Sequence, residues 1–525
     1  MRSRANCSSR WPLTATCGAF SAPPMPILRT NILANYAGQV WMALMGVVFI
    51  PLYIKLLGIE AFGLVGLMLS MQMLSMLFDL GMGGALNREL ARRVHDSSAM
   101  HTLGDLVRTF EWLVWPMALM TFSAVWFASG PLANHFLHPQ QLSPAATAHA
   151  IAIMGLAVAL QWPSTFYANG LSGLERQPAL NLINASFATL RGGGVLVVLY
   201  WISPTISAFM WWYAAMGACQ SLVSAITLWR SLPVDPARHA SFRVAELRAV
   251  GKFAGGLVAI MALSIILTQL DRIVVAAILP LAELGYFSLA MSIAAGMGRM
   301  TQPMFNALYP RYSRLVSLHQ YDELTHLYHL SNQCLAVVVA ALAAILMVFA
   351  KDVVYLWTGN MATAEKLTLP LMLLVGGTAL NGLMNLPYAL QLAHGWTRLT
   401  AGANFVGLLL GIPFCIWAVT HHGIVGAALL WFTVNLGFVT VAIPLMHRRL
   451  MQGEMARWYR LDILPPFIAA AVFSMIGRAL VPSIPRDLQG LLELGVISFM
   501  TLLAAAIASP ATRSIVKRKQ FLTAS

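Results

Sequence analysis

Charge is what this sequence has least of. Only 10% of its 525 residues are Asp, Glu, Lys or Arg, where a soluble globular chain carries about 25%. With 58% hydrophobic residues and a mean hydropathy of +0.71, most of the chain is left without a water-facing side. Acids are scarcest, 19 against 33 Lys and Arg. No two carboxylates share a face as the acid and base of a glycosyl transfer, which argues against such an enzyme. Five cysteines (Cys7, Cys17, Cys219, Cys334, Cys415) are scattered without CxxC spacing, so neither a disulfide framework nor a metal site is expected. Loops long enough to fold as separate domains are missing. The basic excess is not gathered into a soluble module, so nucleic acid is not an expected partner, and no cofactor is expected.

What is present is a series of long apolar runs. Between Asn31 and Arg93 two of them are joined by the tight connection Gly58-Ile59-Glu60-Ala61-Phe62-Gly63, and the second ends in Arg88, Arg92 and Arg93. A helix needs roughly 20 apolar residues to cross a bilayer, and unpaired backbone is not tolerated there. Runs of this length read as spanning helices. Repeated along the chain, the pattern predicts about 14 of them, at 33–56, 61–84, 109–131, 146–170, 178–202, 205–229, 251–278, 284–308, 330–350, 367–392, 397–420, 423–446, 463–482 and 488–509. The expected class is an all-α polytopic membrane protein.

The loops alternate in charge. One face receives 21 Lys and Arg residues, with Arg2, Arg4, Arg10 and Arg29 adding to it, and the other receives four: Lys55, Lys351, Lys366 and Arg486. The positive-inside rule then predicts cytoplasmic termini. Residues 1–24 make a poor signal peptide, their apolar stretch being broken by Thr, Cys, Gly and Pro, and Met25 is an expected true start. Sliding the chain by 222 residues pairs Leu57 with Leu279, Gly63 with Gly285 and Arg92 with Arg314. Both copies run in the same direction, which predicts two parallel six-helix repeats followed by two C-terminal helices. The expected division is an N-terminal segment 1–30, a first bundle 31–230, a basic linker 231–250, a second bundle 251–446, two extra helices 447–509 and a basic tail 510–525. The linker reads as a plain connection or as a basic surface for anionic headgroups.

Certain stretches carry a resemblance. Asn35-Tyr36-Ala37-Gly38, Pro51-Leu52-Tyr53, Leu57 to Leu64, and Asp79-Leu80-Gly81-Met82-Gly83 with Asn87-Arg88-Glu89 resemble the opening of bacterial oligosaccharide flippases. Thr268-Gln269-Leu270-Asp271-Arg272 and Leu308-Tyr309-Pro310-Arg311-Tyr312-Ser313 look like second-half counterparts. The chain is thus similar to the polysaccharide-transporter (O-antigen flippase) branch of the multidrug/oligosaccharidyl-lipid/polysaccharide exporter superfamily. The resemblance implies a MATE-like flippase fold and translocation of a polyprenyl-diphosphate-linked oligosaccharide across the bacterial inner membrane, for surface polysaccharide (O-antigen, lipopolysaccharide or exopolysaccharide) biosynthesis. A polysaccharide polymerase or chain-length regulator is a further partner it implies.

An anionic substrate head calls for positive charge inside the bilayer, where ionisable residues are functional candidates. Arg191, before Gly192-Gly193-Gly194, reads as a diphosphate ligand or as one partner of an interhelical salt bridge. Arg299, within Gly296-Met297-Gly298-Arg299-Met300-Thr301-Gln302-Pro303, invites the same reading. Guanidinium suits phosphate because it pairs bidentately. Arg272 is a third substrate candidate, or snorkels outward. Asp271 reads as a coupling site or as a counter-ion to Arg272, Arg299 or Lys55; Asp79 and Arg88 read as an inner gate or an interfacial anchor. Arg478 and Glu493 are expected to pair between the last two spans. Met68, Met71, Met73 and Met76 read as apolar packing. The rival functions are an organic-cation drug antiporter of the same superfamily, which would favour carboxylates in its cavity, a peptidoglycan-precursor flippase, and a membrane polymerase or ligase, for which the outer loops are too short.

Overall fold

The computed structural model describes residues 41–42, 44–79, 81–94, 100–232 and 240–511, with backbone alone at 78, 101 and 245–260. The N-terminal segment with Met25, the motif at 35–38, residues 233–239 of the linker and the basic tail from 512 lie outside the described residues. Helices carry nearly everything else. We label them α1 (Leu44–Leu57), α2 (Ile59–Ser75), α3 (Met82–Arg93), α4 (Leu103–Pro131), α5 (Pro144–Gly173), α6 (Gln177–Trp201) and α7 (Ile206–Ser231). Then follow α8 (Val244–Ile278), α9 (Leu281–Ser317), α10 (Tyr321–Val348), α11 (Met361–Ala393), α12 (Arg398–Gly437), α13 (Leu464–Leu480) and α14 (Leu488–Ala508). Among the described residues, ten helices are long and apolar enough to span a bilayer. Ten differs from the expected fourteen at identifiable places. Helices α1 and α2 are shorter, α7 falls outside the set, and Arg398–Leu450 is one continuous stretch. That stretch reverses at Gly423, whose φ of 57° and ψ of −137° break the helix. Its two limbs then lie antiparallel, Gly411 against Leu430 and Gly407 against Val434.

The second predicted span is also broken. A tight turn over Met76–Asp79 and a left-handed Gly81 (φ 76°) separate α2 from α3. Both carboxylate oxygens of Asp79 accept from the Gly83 N–H at 3.3 Å, which caps the new helix start.

The two bundles meet through α2 and α9, and the meeting follows the internal repeat. A methyl group on Gly63 would fall 2.5 Å from the Leu281 carbonyl and 3.2 Å from the Gly285 nitrogen. One on Gly285 would fall 3.1 Å from the Ile59 carbonyl carbon, and one on Gly66 2.7 Å from Ser288 Cβ. The shift of 222 equates 63 with 285 and 66 with 288, which touch, and exchanges the Gly63–Leu281 contact with the Ile59–Gly285 contact. The contacts thus map onto one another under the repeat, as an approximate two-fold axis requires. Glycine is needed here because backbone meets backbone.

This crossing lies at the end of the molecule away from the arginine-rich loops. The same far end is closed by the Leu281 N–H, which donates to the His138 carbonyl at 3.1 Å. Nearby, the buried Glu60 accepts from the N–H groups of Gln140, Gln141 and Leu142 at 2.8, 2.8 and 3.2 Å. The hydrophobic cores divide the same way. One large core joins the far halves of α2, α5, α6 and α7 to the whole second bundle, from Leu64 and Met154 to Leu284 and Leu374. A separate core, with Leu86, Leu106, Phe166 and Leu228, fills only the arginine-rich half of the first bundle.

The last two helices pack on α10. Buried His329 bonds Asp462 through Nδ1 and Glu454 through Nε2, the latter at 2.9 Å. Trp458 donates to Asn332 at 3.0 Å and Gln333 donates to Asp462 at 2.7 Å. Toward the other end Arg478 donates to Asp352 at 2.8 Å. The expected Arg478–Glu493 pair does not form: Glu493 accepts from Gln489, one turn away on its own helix. The reason is the short helix Ala350–Thr358, which brings Asp352 within reach of Arg478 first.

Candidate functional site

Between the halves that do not share a core, α9 presents a face unlike any lipid-facing surface. Arg299, Gln302, Asn306 and Tyr309 are all exposed. Their spacing of three, four and three residues puts them in one stripe. Gln302 donates to Asn306 at 3.3 Å. Pro303 and Pro310 interrupt the helix and have no N–H for the carbonyls of Arg299 and Asn306, four residues back, so the stripe carries extra acceptors. Aromatic rings flank it: Phe305 stacks on Tyr309 at 5.9 Å and on Tyr388 of α11 at 6.0 Å. At the arginine-rich mouth Arg311 lies 3.8 Å from Glu323. A mid-span polar stripe cannot face hydrocarbon without a large desolvation penalty, so it marks the side of α9 turned to the cleft between the bundles rather than to lipid.

Helix α1 crosses that cleft. A methyl group on Gly46 would lie 3.5 and 3.6 Å from Nη2 and Nη1 of Arg299, so the guanidinium of the second bundle rests on a helix of the first. The opposite flank of α1 packs on α6. Phe49 fills the space a side chain at Gly192 would need, Tyr53 donates to the Gly192 carbonyl at 2.7 Å, and Trp41 donates to Thr189 at 2.8 Å. Gly194 leaves room for Trp212. The glycine triplet is therefore used for close helix approach.

Arg191 turns the other way, toward α5 and α7. Its Nη2 donates to Oε1 of Gln161 and to Oε1 of Gln220, the latter at 2.6 Å, and the guanidinium carbon lies 5.7 Å from the Tyr213 ring centre. Gln161 also donates to Ser164 at 2.9 Å, and Gln220 to Asn184 at 3.2 Å. All these partners are neutral. Carboxamide oxygens orient the cation without cancelling its charge, and its Nε is buried with no hydrogen-bond partner. Arg191 and Arg299 are thus not brought together; α1 stands between them.

The remaining candidates are placed as follows. Asp271 is buried, with Oδ1 accepting the Arg272 N–H at 2.7 Å and Oδ2 without a hydrogen-bond partner. Arg272 is half-buried, with its Nε also without one. Asp79 caps α3, Arg88 is exposed on that helix, and Lys55 is exposed on the last turn of α1. Sequence reasoning missed Gln161, Gln220 and the stripe residues Gln302, Asn306 and Tyr309. It also missed a polar cavity of about 190 Å³ in the second bundle, lined by neutral groups such as Asn385, Tyr388, Gln391 and Asn404. Carboxamides inside apolar runs were the available signal.

Comparison with known proteins places the fold. The structure is similar to that of a lipid II flippase MurJ in an inward closed conformation, with a TM-score of 0.64 and 11% identity, over 94% of this chain and 100% of that one. It is similar to an inward-facing multidrug resistance MATE transporter of the MOP superfamily (TM-score 0.60, 14% identity, 80% of this chain, 94% of the other). It also resembles a ligand complex of the MATE multidrug transporter DinF-BH (TM-score 0.55, 15% identity, 81% of this chain, 96% of the other). At such identities the likeness shows the fold. No curated protein sequence matches significantly. The family model described as polysaccharide biosynthesis protein matches residues 28–316, more than half of the sequence, and the chain belongs to that family.

Proposed function

We propose that this protein flips a polyprenyl-diphosphate-linked oligosaccharide across the bacterial inner membrane by alternating access between its two bundles, with the arginine-rich end and both termini in the cytoplasm. The observation that carries the reading is the exposed stripe from Arg299 to Tyr309, a cation followed by hydrogen-bonding and aromatic groups inside an apolar helix. Arg299 binds the diphosphate, while Gln302, Asn306 and the rings of Phe305 and Tyr309 meet the sugars. Arg191 supplies a second, uncancelled positive charge to the first bundle, and Arg272 a third at the far end. Asp271 is the coupling residue, and Asp79, Arg88 and Lys55 gate the two mouths. Family membership supports a role in polysaccharide biosynthesis, and the fold neighbours include a flippase. Neutral and cationic lining around Arg191 and along the stripe disfavours an organic-cation substrate.

The test is binding of purified protein to an undecaprenyl-diphosphate glycan, a neutral glycolipid and an organic cation. Preference for the diphosphate that weakens in Arg299→Ala supports the assignment. Preference for the organic cation moves the protein to drug export.

A further inference from the structure

The first limb of α12 and its returning limb leave an apolar groove of about 660 Å³ between them. It runs from Arg398 and Leu445 at the arginine-rich end to Phe414 and Leu430. Sixteen residues of helix make it about 24 Å long, against about 15 Å for one leaflet of hydrocarbon. Its walls face outward, Leu410 being 63% and Val441 59% exposed. Small residues between membrane helices normally let backbones approach. Gly402 and Gly437 do not: a methyl group on either would meet nothing within 4 Å. They leave a concavity that no side chain among the described residues fills.

The mouth is one-signed. Arg398 lines it, Arg448 and Arg449 sit on the last turn of the adjacent helix, and Arg449 is held 4.5 Å over the Trp396 ring. No acidic residue lines the groove, and none of the three arginines joins an ion pair among the described residues. Any apolar groove open to the bilayer takes up a hydrocarbon chain; the uncompensated cations decide whose chain it is.

We propose that this groove is a binding site for one anionic phospholipid, with an acyl chain along Gly402 and Gly437 and its phosphate at Arg398 and Arg449. The site is separate from the substrate cleft and does not rest on the flippase reading. Leu399, Ala403, Phe438 and Ala442 form a wall shared with the polar cavity of the second bundle, so a seated chain braces that wall from outside.

Native mass spectrometry of the detergent-purified full chain tests this, with phosphatidylglycerol, phosphatidylcholine and undecaprenyl phosphate added in equal amounts. Phosphatidylglycerol should be retained at least about 5-fold over phosphatidylcholine. That preference should vanish in Arg398→Gln/Arg449→Gln, and all retention at this site should drop in Gly402→Phe, which fills the groove. Gly402→Ala, which leaves it open, should bind as the native protein does and controls for folding. Equal retention of both phospholipids, native binding by Gly402→Phe, or a preference for undecaprenyl phosphate that is lost in Gly402→Phe would overturn the proposal.

Discussion

Two arginines with the same signature in sequence, a lone cation beside glycines in mid-span, end in opposite surroundings. Arg191 is enclosed by Gln161 and Gln220 and turned into its own bundle, while Arg299 stands on an exposed stripe and reaches across to α1. The glycines differ accordingly. Gly192 and Gly194 admit Phe49 and Trp212, whereas Gly296 and Gly298 have no neighbour within 4 Å of a built methyl group and simply leave the stripe bare. The lesson is that a mid-membrane charge can be made tolerable by caging it or by wetting it. Only the second leaves the side chain exposed on the face that a ligand would meet.

This contrast can be broken by substitution. The largest effect is expected for Arg299→Ala, where losing a charged hydrogen-bonding partner costs about 2–3 kcal/mol. Translocation in proteoliposomes should fall about 30- to 100-fold while the melting temperature stays at the native value. Arg191→Ala should show the reverse emphasis. Unmaking its bonds to buried Gln220 and half-buried Gln161 should lower thermal stability by about 1–3 kcal/mol, with translocation reduced about 10-fold through the lost field. Equal melting temperatures for the two variants would erase the distinction. Arg299→Lys should recover activity to within about 10-fold of native, because charge survives and the planar fork does not. The smallest change belongs to Gly46→Ala: its methyl group would sit at ordinary contact distance from the Arg299 guanidinium, and transport should stay within about 2-fold.

Legibility in the sequence followed the range of the interactions. Helical runs and the shift of 222 are local or repetitive, and the repeat already held the bundle contact, since Gly63 and Gly285 pair by number and touch in space. The break after Asp79 was hidden because Met76–Asp79 and Met82–Arg93 lie in a continuous stretch without proline; only Gly81 marks it. Arg191 could be singled out, but its partners come from helices 30 and 29 residues away, and the rotation of three helices decides which amides face it. Arg478 drew Asp352 instead of Glu493 for the same reason.

The split between the two hydrophobic cores has a mechanical consequence. The far halves of the bundles already share one core, whereas the arginine-rich half of the first bundle keeps its own. Parting the bundles at the far end would therefore expose apolar surface around Gly63 and Gly285, whereas parting them at the arginine-rich end would divide no shared core. The two ends are therefore unequal in what parting them would expose. On the flippase reading, a cargo seated beside the stripe would act on the end that is joined by no shared core.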